Sequence, residues 1–158
     1  MPIIRLETQI AAPPERCFDL ARDVDLHQQS VATSRERAVA GVTSGTLGLG
    51  ESVTWEATHF GLTLRLTSMI TEFDRPRRFV DEMVKGPFRR LRHTHEFQPV
   101  DRGTLMIDVF DYASQFGVFG WIADLLLVRS YMERLLEHRN AFLKQVAEAA
   151  TPPRVDRA

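Results

Sequence analysis

Near Gly117 the apolar pattern of this chain changes period, and that change constrains the fold more than any single motif. Beyond it, Val118, Ile122, Leu125, Met132, Leu136, Leu143 and Val146 recur at spacings of three, four and seven, as one helix face requires. The spacing predicts a long amphipathic helix from about Val118 to about Ala149, with room for a break near Leu127. Before Gly117, short runs follow a period of two. Ile4, Leu6, Thr8 and Ile10 alternate with Arg5, Glu7 and Gln9, which makes a half-buried first strand.

Pro13 to Ala21 reads as a helix opening, because proline is tolerated in a first turn where its missing N–H has no partner. A second short helix is expected over Leu26 to Val31, capped by Asp23 or Asp25. Strands follow at Arg35 to Ala40, Ser52 to Phe60, Leu62 to Glu72, Phe79 to Lys85, Leu91 to Gln98 and Thr104 to Ala113. Gly41, the Gly45 to Gly50 stretch, Gly61, Asp74-Arg75-Pro76, Gly86-Pro87 and Val100 to Gly103 separate them with turn chemistry. Short turns between consecutive strands imply an antiparallel meander. One sheet needs cover on its apolar face, and the last helix is the element long enough to supply it.

The expected fold is therefore α+β of the helix-grip kind. A curved antiparallel sheet of about six to seven strands wraps a long C-terminal helix, with two short helices after the first strand. Residues 1–150 are read as one ligand-binding domain, and the tail 151–158 lacks a core face and is expected to be disordered.

Composition narrows the function. The hydrophobic fraction of 44% and charged fraction of 26% suit a soluble globular domain, and a net charge of −1 supplies no global field for nucleic acid. The lone Cys17 excludes an internal disulfide and any multi-cysteine metal site. The opening residues show no secretory pattern. Phe116 to Val128 is shorter than the about 20 residues a bilayer needs. A cytoplasmic location is the expectation. No GxSxG, P-loop, HExxH or strand-bound GxGxxG motif is present.

The first strand flowing into Ala12-Pro13-Pro14-Glu15-Arg16-Cys17-Phe18, the Gly48-x-Gly50 stretch before Trp55, the hairpin His59-Phe60-Gly61, the pair His95-x-Phe97 and Gly103-Thr104 before Asp108 form a familiar series. With the long helix from Gly117, this order of elements resembles the START/Bet v 1-like (SRPBCC) superfamily, in its polyketide cyclase/dehydrase and lipid-transport-like branch, over roughly Ile3 to Glu148. The resemblance implies a cavity between sheet and helix. It implies no universal catalytic residue set, since function lives in the site and not in the fold.

Several residues are candidates for that cavity. His93 and His95, two apart on one strand, point the same way, and a pair of imidazoles can move a proton or hold a metal. Asp108 and Asp111 are conceivable third ligands, but no spacing makes a firm set, so no metal and no cofactor are expected. His95 and Asp108 are the catalytic candidates, in the event that Met106, Asp108, Phe110 and Tyr112 form the inward face of their strand rather than Leu105, Ile107 and Val109. Arg139 falls on the apolar stripe of the last helix, where it either clamps a ligand anion or pairs with a sheet carboxylate such as Asp108 or Glu96. The expected ligand-binding set is Trp55, Phe97, His95, Asp108, Phe110, Tyr112, Trp121, Met132, Leu136 and Arg139.

Two features have plainer readings beside functional ones. Phe116 to Ala123 is apolar nearly all round, so it is either buried against the short helices or a cavity mouth that touches membrane transiently. The arginines from Arg75 to Arg92 interleave with acids and read as a solvated rim rather than a nucleic-acid surface. The expected function is a carrier or sensor that binds a small hydrophobic or amphipathic molecule. The alternatives are a cyclase, dehydratase or hydrolase acting on an aromatic or polyketide-like substrate in the same cavity, and a protein-interaction module.

Overall fold

Alternation along the first strand is realised in full. Ile4 and Ile10 are buried while Arg5, Glu7 and Gln9 face out, in β1 (Ile3–Ile10) of a computed structural model that describes residues 3–31, 35–59, 61–113 and 128–149. After it come α1 (Pro14–Ala21), α2 (Val24–Ser30), β2 (Arg37–Gly41), β3 (Ser52–His59), β4 (Leu62–Asp74), β5 (Arg78–Lys85), β6 (Arg90–Val100), β7 (Gly103–Ala113) and α3 (Arg129–Ala149). The seven strands form one antiparallel sheet in the order β1-β7-β6-β5-β4-β3-β2.

The two short helices join β1 and β2, which are the two edges of that sheet. A short connection between opposite edges suits a strongly curled sheet. Register shifts at Ala38/Ala40, Thr67/Ser68 and Ile70/Glu72 supply local bends, since an extra residue on one strand increases twist. Gly103 marks the tightest approach. Its φ is +137°, and a Cβ there would lie 2.1 Å from the Ile10 carbonyl, so β7 can start beside the β1–α1 corner only with glycine.

Helix α3 packs on β1, α1 and α2. Its C-terminal end is pinned to the same corner. Arg16 donates from Nε to Ala147 O (2.9 Å) and from Nη2 to Val146 O (3.3 Å), which satisfies carbonyls left over at the helix end. Ala11 N donates to Glu148 Oε1 at 2.9 Å. The α2 cap is Asp23, whose side chain accepts from Leu26 N at 2.9 Å, so the helix starts at Val24 and not at Leu26. The part of the predicted last helix between Val118 and Leu127, with its break, lies outside the described residues, as does the tail beyond Ala149.

On β7 the inward face is Met106, Asp108, Phe110 and Tyr112, all buried; Leu105 and Val109 are only half-buried. The more apolar triplet lost because a polar network, described below, makes burial of Asp108 tolerable. The aromatic core sits under α1, where Phe18 meets Phe73, Phe79 and Phe97 edge-on at centroid distances of 5.2, 5.3 and 5.5 Å.

Candidate functional site

Between the concave face of the sheet and the N-terminal half of α3 lies a cavity of about 610 Å³. That is the size of a site for a small organic molecule. Its walls are mainly apolar. β4 contributes Leu62, Leu64, Leu66 and Ile70 from alternate positions, β3 contributes Trp55 and Ala57, and α3 contributes Met132 and Leu136. Alternation explains the β4 set, because residues two apart share a face of a strand.

Polar groups meet the cavity chiefly in two clusters. The first arises from sheet register. Asp81 pairs with His93, which pairs with Phe110; Phe79 pairs with His95, which pairs with Asp108. Two adjacent rungs therefore bring two carboxylates and two imidazoles onto the concave face. His95 lies between the acids, its Nε2 3.1 Å from Asp81 Oδ2 and its Nδ1 2.6 Å from Asp108 Oδ1. The second contact is close without the alignment of a hydrogen bond, so it acts as a charge contact. His93 Nε2 is 3.1 Å from the same Asp108 oxygen, and its Nδ1 is 4.0 Å from Asp81.

From the helix, Asn140 Nδ2 donates to Asp108 Oδ2 at 2.7 Å, and Arg139 Nη1 stands 3.5 Å from Asp108 Oδ1. Arg139 Nη2 also donates to the Ala21 carbonyl at 3.2 Å. The aromatic rings complete the frame: Phe79 stacks on His95 at 4.3 Å, and Phe110 meets His93 edge-on at 5.2 Å.

Burial and charge set the protonation of these groups. Burial lowers His93 to about 4, and the neighbouring His95 adds to that effect. Burial also works against a charged His95, but Asp108 and Asp81 on either side outweigh it and hold its pKa above the ordinary value. Burial alone would raise Asp108; its histidine neighbours reverse this and hold it well below the carboxylate range. Asp81 is lowered for the same reason. When His95 carries its proton, it and Arg139 balance the two carboxylates, with His93 neutral. The carboxylate at Nε2 selects the Nε2–H tautomer of His93 and leaves Nδ1 as an acceptor.

The second cluster stands where α2, β2, β3 and α3 come together. His27 Nε2 lies 2.7 Å from Glu36 Oε1, and His59 Nδ1 lies 2.7 Å from the Tyr131 hydroxyl. All four residues line the cavity. Trp55 covers His27 at a ring distance of 4.4 Å. Burial opposes a charged Glu36, but His27 outweighs it and lowers its pKa; burial lowers His59 as well.

Of the residues singled out from sequence, Trp55, His95, Phe110, Met132, Leu136 and Arg139 line the cavity. Three do not. Asp108 sits behind His95, Phe97 packs within the Phe18 and Phe79 cluster, and Tyr112 is fully buried beside Phe88 and Phe110. All three point inward, which alternation left open for Asp108 and Tyr112, but neighbouring side chains stand between them and the hollow. Trp121 and the Phe116 to Ala123 run lie outside the described residues. Arg139 pairs with Asp108, not Glu96, and also reaches the cavity.

Asp81, Glu36, His27, Tyr131 and Asn140 were not singled out. Only Asp81 carried a usable signal, because pairing β5 with β6 brings it opposite His93. Cys17 is fully buried, and burial raises its thiol, as suits a core residue. Asp111, the other conceivable metal ligand, faces outward and pairs with Arg90 at 2.6 Å. The arginine run is largely neutralised in place: Arg75 pairs with Asp19, Arg77 with Asp74, Arg78 with Glu72, and Arg92 with Glu72 and Glu82. No described helix is long and apolar enough to cross a membrane.

Solved structures share this architecture. The protein TTHA0849 of Thermus thermophilus matches with a TM-score of 0.77 and 26% identity, over 96% of this chain and 100% of that one. A START superfamily protein from Mycobacterium smegmatis matches with a TM-score of 0.70 and 14% identity, over 94% and 99%. Major latex-like protein 151 from Panax ginseng matches with a TM-score of 0.67 and 13% identity, over 92% and 97%. No curated protein matches this chain in sequence. The profile of one family does, across residues 1–148, and with the curled sheet, the gripped helix and the hollow between them the chain belongs to the polyketide cyclase/dehydrase and lipid transport family.

Proposed function

We propose that this protein encloses one small amphipathic molecule between sheet and helix, as a carrier or sensor. The observation that carries this reading is the hollow itself, about 610 Å³ with mainly apolar walls and its polar groups gathered chiefly in two clusters. Removing apolar surface from water drives uptake, and a few fixed polar groups orient the guest. His93 and Arg139 would address a ligand oxygen at the sheet floor, and His27, Glu36 and Tyr131 a second polar end. The family description, which joins lipid transport with cyclase chemistry, supports a guest that is lipid-like or polyketide-like.

The test is native mass spectrometry of freshly purified protein, followed by titration with a fluorescent fatty-acid probe. A copurified small molecule, or saturable probe uptake with one site per chain, is expected. A protein that is empty and ignores the probe would remove the basis of this reading.

A second reading, an enzyme acting on a polyketide-like substrate, draws on one observation. His93 and His95 stand side by side, both lining the cavity and both backed by Asp108, with burial lowering the pKa of His93 and the two carboxylates raising that of His95. Such a pair can take a proton at one nitrogen and return one from the other. Turnover of an aromatic polyketone that is lost in His93→Gln, with probe uptake retained, would favour it over the carrier.

A further inference from the structure

We propose that Asp81, His93 and His95 form a binding site for a divalent transition ion of the zinc and ferrous class, facing the cavity. The donor set is two imidazoles and one carboxylate, with one ligand atom from each residue all within 4.8 Å of one another. Metal–ligand bonds of about 2.0–2.2 Å require donors spaced by roughly 3.3–3.6 Å around a tetrahedral ion. Asp81 Oδ2 is already 3.1 Å from His95 Nε2 and 4.0 Å from His93 Nδ1. All three donors lie within 4.8 Å, and Asp81, whose side chain is 22% exposed, is the least confined of the three and the readiest to adjust toward that spacing.

What stands behind the histidines argues for an ion more strongly than the donors do. A metal-bound imidazole is held by a partner at its other ring nitrogen, usually a carboxylate or carbonyl, which fixes tautomer and ring orientation. Here one buried carboxylate stands behind both rings, hydrogen-bonded to His93 and in charge contact with His95. Asp108 Oδ1 lies 3.1 Å from His93 Nε2 and 2.6 Å from His95 Nδ1, so each ring turns its remaining nitrogen toward Asp81. Asn140 and Arg139 hold Asp108 in turn.

The charges agree. With both imidazoles neutral, the carboxylates of Asp81 and Asp108 face one guanidinium, Arg139, and leave one negative charge unmatched among these groups. A proton on His95 supplies it; a bound divalent ion, which competes for the same nitrogen, supplies it with one positive charge to spare for an anionic oxygen of the guest. Three protein donors leave coordination positions toward the cavity, as in sites where the ion binds a further ligand. An oxygen of a carboxylate, enol or ketone on the guest would complete the shell. This site does not depend on the carrier reading, since the donors are in place whatever fills the hollow.

Titration of the EDTA-treated full-length protein with Zn²⁺ and with Co²⁺, followed by calorimetry and visible absorption, tests it. One equivalent is expected, with a Co²⁺ spectrum of low coordination number. Asp81→Asn and His93→Gln should each weaken binding by at least about tenfold, while the exposed Arg77→Ala leaves it unchanged. Far-UV circular dichroism confirms that each variant is folded; Asp81→Asn, near-isosteric and partly exposed, carries the test if the buried His93 variant is not. Only sub-stoichiometric binding, or binding by Asp81→Asn as tight as by the parent, overturns the proposal. Fatty-acid probe uptake by the EDTA-treated protein reads the carrier proposal separately, so either can fail alone.

Discussion

One half of the concave face is filled and the other is hollow, although both are built from the same alternation of strand residues. Under α1, Phe18 drops into the sheet and meets Phe73, Phe79 and Phe97, and the space closes. Under the first turns of α3, the β4 row Leu62, Leu64 and Leu66 faces Met132 and Leu136 across about 610 Å³. The difference lies in how close each helix comes. α1 contacts β6 and β7 directly, whereas α3 contacts β1 and the short helices. Its C-terminal end is held to the sheet corner by Arg16 and Glu148. A helix fastened at one end of a curled sheet leaves a wedge at the other. Apolar character on both walls does not fill a wedge; a side chain has to reach across it.

The sharpest way to break the contrast is to empty the filled half. Phe18→Ala should cost about 3–5 kcal/mol in urea unfolding, because a buried aromatic ring is lost from a close-packed site. A loss below about 1 kcal/mol would mean that this half tolerates space as the other does. The boundary between the halves is polar, and Asp108→Asn tests it. Weakening the carboxylate beneath both histidines should cost about 3 kcal/mol at pH 7. Equal stability of parent and variant would count against a tightly paired network.

Filling the hollow half should have the opposite profile. Ala57→Phe projects a ring into the cavity from β3, and stability should change by less than about 1 kcal/mol while probe uptake is lost. A larger destabilisation, as overpacking produces, would show that the space is not free.

The second polar cluster gives a pH signature. Glu36 is held below its ordinary value because His27 outweighs burial. Its stabilising contribution is thus present above the unfolded carboxyl pKa of about 4.3 and is lost as pH falls through the lower folded value. Glu36→Gln should therefore be less stable than the parent near neutral pH, and the two curves should converge in acid. Parallel curves down to the acid limit would rule out that pairing. The smallest effect is expected on the convex side. Arg37→Ala removes a contact to Glu56 at the exposed sheet surface and should leave Tm unresolved from the parent.

Most of the fold is legible along the chain, because strand alternation and helix periodicity are local properties. β1, β3, β5, β6, β7 and both short helices fall within a few residues of where spacing and turn chemistry place them. The site is less legible. His93 and His95 stand out as a pair, and Trp55, Phe110 and Arg139 as cavity candidates, yet Phe97 and Tyr112, candidates on the same grounds, are core. Pointing inward is a one-strand property, whereas reaching the cavity depends on what the neighbouring strands and helices place in front. Asp81 reads as one more charge in a basic run, and Glu36 and Tyr131 lie in separate elements that meet only in the folded chain.

The order of periods along the chain was enough to determine a curled antiparallel sheet holding one long helix, because each element's amphipathicity demands cover from the next. Only the tertiary structure decided that the wedge stays open and that Asp81, His93, His95 and Asp108 converge in it. Cross-strand register and the tilt of a helix are set by contacts between residues far apart in sequence, and no local pattern encodes them.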